Sequence, residues 1–314
     1  MEQPQEFLMA DMGGTNIRFA LCRQGKITQP RHYKCADFSS LSAAVRFYLT
    51  DEGCLLPKAF MLGVPGPVLG DNLTFVNNPW SFSISALKKE FDFKILKVVN
   101  DFAASSMAVP YLTAKDLVSV GSGEVYSDHP KVVIGPGTGL GVGIVVPVQG
   151  TWQPIETEGG HVTLAARTTA EFDLILKAQK LLGHVSAESF LAGKGLALLY
   201  HLVGGEKSLL PEEVMQRAMK KETTALNALN FYFSFLGNVA GNLALSLGAF
   251  GGVYISGGII RQPGVLELFL ASDFRTAFED KGARASYLKR IPIFAVITHD
   301  TAFLGLKHLM LSSL

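Results

Sequence analysis

Asp11-Met12-Gly13-Gly14-Thr15 and, about one domain later, Gly135-Pro136-Gly137-Thr138-Gly139-Leu140-Gly141 decide how this chain reads. Each is preceded by a short apolar run (Phe7 to Ala10; Val132 to Ile134) and followed by another (Ile17 to Leu21; Val142 to Val148). Short runs rich in branched and aromatic residues read as strands. Strand, glycine turn, strand therefore occurs twice. Glycine has no Cβ, so backbone N–H groups can crowd toward an anion. Two such turns facing each other would cradle a polyphosphate. The plain alternative is a pair of tight hairpins. Asp11 before one turn, with Thr15 and Thr138 as hydroxyl donors, favours the ligand reading.

Two commoner phosphate motifs are excluded. A Walker A loop needs Lys followed by Ser or Thr after its last glycine, and neither turn has that Lys. A dinucleotide fingerprint needs Gly-x-Gly-x-x-Gly. Counted from Gly135 or from Gly137, the third glycine falls on Leu140 or on Val142.

The 314 residues suffice for two ordinary domains or one large one. With 48% hydrophobic and 18% charged residues, the chain can bury a sizeable core. A net charge of +1 gives no reason to expect nucleic acid or an anionic membrane as partner. Cys22, Cys35 and Cys54 are odd in number and lack Cys-x-x-Cys spacing, which suits a reduced, cytoplasmic setting. Residues 1–6 carry two acids and no basic n-region, so no signal peptide is expected. The most apolar stretch, Phe231 to Phe250, is interrupted by Asn238, Asn242 and Ser246 at four-residue spacing. That pattern reads as a core helix rather than a membrane span.

The first third predicts strands at 6–11, 16–22 and 26–34, then a helix at 39–52 capped by Ser39 or Ser40. A strand at 58–64 ends at Val64-Pro65-Gly66-Pro67. A helix at 83–91, a strand at 95–99 and a helix at 102–109 follow. Further on come a strand at 131–134 and helices at 169–182, 187–203, 211–220 and 222–250. A strand at 252–256 ends in Gly257-Gly258, and a strand at 292–297 precedes a last helix at 300–312. This is an α/β chain with mixed sheets flanked by helices. The expected division is a small domain over 1–110, joined by the terminal helix 299–314, and a large domain over 111–298.

Three clusters carry chemistry. Asn100-Asp101 follows the apolar strand Ile95 to Val99, and strand ends are where α/β sheets bind ligands. Asp101 either accepts a proton from an attacking hydroxyl during phosphoryl transfer or caps a helix starting at Phe102. Glu158-Gly159-Gly160-His161 sets a carboxylate and an imidazole where both can grip vicinal hydroxyls, or is a solvated turn. No cysteine lies near His161, and the next histidine is His184, so a metal reading is weaker. Glu188 in Ser186-Ala187-Glu188 reads first as a helix-start acid. Ser256-Gly257-Gly258 either holds a flat base or ribose or makes a close strand-to-helix crossing.

These residues, in this order, resemble the bacterial glucokinases, of the hexokinase group within the actin-like ATPase superfamily. The resemblance rests on Asp11-x-Gly13-Gly14-Thr15-Asn16, Asn100-Asp101-Phe102, Gly137-Thr138-Gly139-Leu140-Gly141, Glu158-Gly159-Gly160-His161, Ser186-Ala187-Glu188 and Ser256-Gly257-Gly258. Asn77-Asn78-Pro79-Trp80-Ser81-Phe82 resembles the family's Asn-x-x-Trp segment, and the likeness runs from about residue 7 to the last helix. It implies two RNase-H-like domains with the active site in the cleft between them, often as a homodimer. The implied activity is ATP-dependent phosphorylation of D-glucose at the 6-hydroxyl to glucose 6-phosphate, feeding glycolysis. The alternatives are a kinase for mannose or fructose and a non-catalytic sugar and nucleotide sensor.

By the same resemblance Asp101 is the base, and Asn78, Asn100, Glu158, His161 and Glu188 bind sugar. Ala10, Asp11, Met12, Gly13, Gly14, Thr15, Gly137, Thr138, Gly139, Gly257 and Gly258 bind ATP. Asp11 stands near Mg²⁺, through water. The related repressor/kinase (ROK) group carries a cysteine-rich zinc motif after its equivalent of His161. This chain has no cysteine after Cys54, so neither zinc nor DNA binding is expected.

Overall fold

The computed structural model describes residues 4–75, 78–207, 209–299 and 301–312. Asn77 and Asp300 lie outside them. The chain groups into two units. One comprises Met1–Leu112, Val148–Glu156 and His299–Leu314; the other comprises Thr113–Pro147 and Thr157–Thr298. The expected division had left 148–156 in the larger domain. Here those residues join the first unit.

The first unit opens with β1 (Glu6–Met12), β2 (Asn16–Arg23) and β3 (Lys26–Lys34), an antiparallel meander. Helix α1 (Leu41–Asp51) follows, with the Ser40 hydroxyl accepting from Ala43 N–H as its cap. Then come β4 (Ala59–Val64), the hairpin β5 (Asn72–Phe75) and β6 (Asn78–Ser83), and α2 (Ile84–Glu90). Strand β7 (Ile95–Asn100) leads into α3 (Asp101–Met107). The sheet order is β3-β2-β1-β4-β7, with β4 parallel to both β1 and β7. Its core includes Leu8, Phe19, Tyr48, Phe60 and Trp80. Phe19 stacks on Tyr48 with ring centroids 5.1 Å apart.

The second unit contains β8 (Leu117–Ser119), β9 (Lys131–Pro136) and β10 (Leu140–Val148). Strand β11 (Thr151–Ile155) lies in the first unit, against α3. Helices α4 (Thr169–Leu182), α5 (Ala187–Leu191), α6 (Gly193–Leu202), α7 (Pro211–Met219) and α8 (Thr223–Leu247) follow. Strand β12 (Val253–Ser256), helices α9 (Val265–Leu270), α10 (Phe274–Glu279) and α11 (Ala285–Lys289), and β13 (Ile293–Val296) complete this unit. Its strands run β10-β9-β12-β13-β8. As in the first sheet, an antiparallel hairpin (β9, β10) is extended by parallel strands (β12, β13). The strand–turn–strand repeat of the sequence is thus a repeat of sheet architecture.

Helix α8 is the spine of this unit, with Tyr232, Phe233, Phe235 and Leu236 buried in its middle. Asn238 is also buried and donates to the Ala165 carbonyl at 2.8 Å, while Asn242 and Ser246 reach solvent. Among the described residues, no helix is long and apolar enough to cross a membrane. The last helix, α12 (Thr301–Ser312), returns to the first unit and packs on α3, β1 and β4.

Candidate active site

In the first unit, the turn after β1 is closed by Gly13 N–H donating to the Asn16 carbonyl at 2.8 Å. Ala10 and Met12 are fully buried, so of the nucleotide contacts expected at this turn Asp11, Gly13, Gly14 and Thr15 present surface. Arg18, opposite Asp11 on β2, donates from Nε to its Oδ2 at 3.0 Å and from Nη2 to the same oxygen. Asn78, expected as a sugar contact, is bonded within the protein. It is 6% exposed, and its amide donates to the Gly13 carbonyl (3.0 Å) and to Cys35 Sγ (3.2 Å). Its Oδ1 accepts from Trp80 N–H at 2.9 Å. Both amide hydrogens are engaged inside the protein, so Asn78 braces the first glycine turn.

The β1, β4 and β7 strands end together. Asp11 pairs with Gly63, and Gly63 pairs with Val99, one residue before Asn100. A Cβ on Gly63 would stand 3.6 Å from both Asp11 Oδ1 and Asp101 Cα. The sheet therefore brings the two aspartates to the same edge. The cap of α3 is Asn100, not Asp101. The Asn100 Oδ1 accepts from Phe102 N–H (3.0 Å) and Ala103 N–H (2.9 Å), and its amide donates to the Gly66 carbonyl (3.2 Å). Its own N–H donates to Glu156 Oε1 at 3.1 Å. Asp101 is thereby the first residue of the helix, half-buried, and its Oδ1 accepts from Phe102 N–H at 2.7 Å.

In the second unit, the glycine turn between β9 and β10 is held from two helices. Gly193, at the start of α6, donates to the Gly137 carbonyl at 2.8 Å. Glu188, in the first turn of α5, accepts from Leu140 N–H at 2.8 Å through Oε2. The predicted helix 187–203 is broken at Ala192, whose ψ of 170° is extended, and this break frees Gly193 N–H for the turn. Gly159–His161 forms one 3-10 turn. Its glycines lie on β10: a Cβ on Gly160 would overlap the Leu140 carbonyl, and one on Gly159 would stand 2.9 Å from Val142 Cγ1. His161 Nε2 lies 3.9 Å from Glu158 Oε2 and 3.9 Å from Glu188 Oε2. Two acceptors thus flank one ring that can donate or accept, a set suited to adjacent hydroxyls.

Beside this turn opens a cavity of about 270 Å³. Gly137, Thr138 and Gly258 stand at it, with Leu196, Met215 and Ile259 as apolar wall. Gly257 packs against the Pro136 carbonyl, where any Cβ would overlap, whereas Gly258 faces open space.

Over residues 8–313 the chain matches the family model described as Glucokinase. The chain belongs to the glucokinase family. It is 42% identical to a glucokinase of Nitrobacter hamburgensis over 97% of each chain. It is 40% identical to a glucokinase of an Enterobacter species over 95% of this chain and 94% of that one. A crystal structure of a glucokinase from an Antarctic psychrotroph superposes with a TM-score of 0.89 at 33% identity, over 99% of this chain and 100% of that one. The fold is accordingly the actin-like ATPase fold of the sugar kinases.

Several residues of this glucokinase-family site carry no motif of their own. Arg18 shows only as an alternating strand residue, and its partner Asp11 is known from the turn across β1 and β2. Glu156 is 56 positions from Asn100 and became its partner only through β11 lying in the first unit. The cavity walls come from α6, α7 and the segment after β12. Among the described residues, no group of three or more His, Cys, Asp or Glu is placed to hold a metal ion.

Proposed function

We propose that Asp101 is the base of an ATP-dependent phosphorylation of glucose, with the sugar hydroxyls held by Glu158, His161 and Glu188. The activity itself follows from family membership over nearly the whole chain. The observation that carries the role of Asp101 is its place at the shared edge of β1, β4 and β7, beside Asp11 across Gly63. In the transfer, the 6-hydroxyl oxygen bonds to the γ-phosphorus as the bond to the ADP oxygen breaks. The hydroxyl proton passes to the Asp101 carboxylate and then to solvent. A carboxylate of pKa about 3.9 is a weak base for a sugar hydroxyl, so the proton moves late, as the new bond forms. Until then Asp101 orients the nucleophile.

The turn amides of Gly14, Thr15, Thr138 and Gly139 supply donors to the phosphates, those of Gly13 and Gly137 being used to close the turns, and the 270 Å³ cavity takes the adenosine. Asp11 suits Mg²⁺ held through water. It is one hard-oxygen ligand already shared with Arg18, too little to strip a hydration shell. Bound Mg²⁺ supplies neutralisation of polyphosphate charge. Asn100 joins the sugar-binding set while its amide braces the Gly66 carbonyl, and Asn78 supports the site from behind the first glycine turn. A cytoplasmic homodimer completes the reading. Exposed Phe172 and Leu176, one turn apart on α4, offer it an apolar contact, and light scattering measures it.

Asp101→Asn keeps the shape and removes the base. Sugar-dependent ADP release should fall about 10²-fold or more, with glucose binding by calorimetry retained. Near-normal turnover would remove Asp101 from the role. A panel of glucose, mannose and fructose in the same assay measures sugar choice.

A further inference from the structure

Glu188 touches both halves of the chemistry in the second unit. Its Oε2 accepts from Leu140 N–H at 2.8 Å and lies 3.9 Å from His161 Nε2. A Cβ on Gly139 would stand 2.7 Å from that same oxygen. The Leu140 carbonyl, on the other side of the residue, is pressed by Gly160 of the Glu158–His161 turn. Leu140 is thus clamped between the hydroxyl-binding cluster and the glycine turn that lines the nucleotide cavity. The remaining carboxylate oxygen, Oε1, is left for a ligand hydroxyl.

We propose that Glu188 is a positioning residue that couples sugar binding to the phosphate turn at Gly137–Gly139. The inference rests on the reading of Glu158, His161 and Glu188 as the sugar-hydroxyl cluster. Glu188 is about one-third exposed, and a partly exposed carboxylate held by one hydrogen bond keeps rotamer freedom. Sugar hydroxyls donating to Oε1 fix the carboxylate. The fixed carboxylate fixes Leu140 N–H, and with it the turn whose amides meet phosphate. A nucleotide that arrives second then orders less, so its affinity rises. Linkage makes the effect reciprocal: nucleotide tightens sugar by the same factor.

The test measures the dissociation constant of a non-hydrolysable ATP analogue by calorimetry, without glucose and at saturating glucose. Sugar-dependent ADP release is recorded first on the unsubstituted protein. Its absence would sink the functional reading, whereas its presence leaves the coupling to stand or fall alone. In the unsubstituted protein, glucose should tighten the analogue about fivefold or more. Gly139→Ala decides the matter. Its backbone is outside the left-handed region, the carboxylate stays in the chain, and the new methyl displaces Oε2 from Leu140 N–H. The coupling should drop to within about twofold of none while glucose still binds. Coupling undiminished in Gly139→Ala overturns the proposal, as does an unsubstituted protein with none. Should Gly139→Ala not fold, hydrogen exchange on the unsubstituted protein reads the same link. Exchange at the peptide containing Leu140 should slow on adding glucose alone, and no slowing overturns it.

Discussion

At the residue scale, this site works through backbone held by side chains. Asn78 illustrates it: a buried amide fixes the Gly13 carbonyl and so the geometry of the first glycine turn. Asn78→Ala leaves that carbonyl without its partner, at about 1–3 kcal/mol. The expected outcome is a lower melting temperature and a raised KM for ATP, with the KM for glucose little changed. Steady-state kinetics against each substrate separate this from a sugar contact, which would move the glucose KM instead. The glycine turns of the site were legible in the sequence because residues without a Cβ let backbone amides crowd together between two short apolar runs. What was not legible was direction. Asn100 and Asp101 are adjacent and both can cap a helix, and only the fold shows that Asn100 does so. Likewise the null side chains of Gly63 and Gly160 matter for what they let approach, and the approaching partner is distant in sequence.

At the element scale, α3 carries Asp101, and α12 holds α3. A Cβ on Gly305 would overlap the Ala104 carbonyl, so the two helices meet backbone to backbone. Gly305→Ala forces them apart, an overpacking cost of about 1–3 kcal/mol. Both melting temperature and kcat should fall, because the start of α3 shifts with its body. Thermal unfolding and turnover on one preparation check it. His308, also on α12, stacks on Tyr111 with ring centroids 3.3 Å apart. Burial first, then the charge of Lys307, pulls its pKa from 6.5 to about 4. The folded protein therefore binds fewer protons than the unfolded chain between those values. This contribution to stability is intact above pH 6.5 and declines as pH falls toward 4. His308→Phe should flatten that part of the melting-temperature profile against pH. Long periodic helices such as α8 were readable from sequence. The α5–α6 break was not, because the apolar pattern runs through it and its cause is a hydrogen bond to Gly137, 56 residues upstream. Strand β8 has only three residues to show a period, and Pro154 interrupts β11.

At the scale of the whole molecule, each unit repeats one sheet plan, and the repeat of glycine turns announced it. The excursion Val148–Glu156 gave no such notice: β10 runs through Pro147 to Val148, and Gly150 reads as an ordinary hairpin tip. The first unit depends on chain from three places. Truncation after Thr298 removes α12 from β1, β4 and α3 and uncovers the α3 backbone at Ala104, which Gly305 approaches. The shortened chain should lose the cooperative melting of the first unit and aggregate. Scanning calorimetry of soluble material, or its absence after expression, checks this.

The same arrangement sets an order on synthesis. A ribosome releases β1, β2 and β3 early, yet the helix that closes over their sheet is made only after the whole second unit. The second unit, complete at Thr298, can finish its core while the earlier-made sheet still waits for its cover. Of the two units, the one begun earlier is therefore the later to become native, and it is the one that a chaperone would have more time to meet.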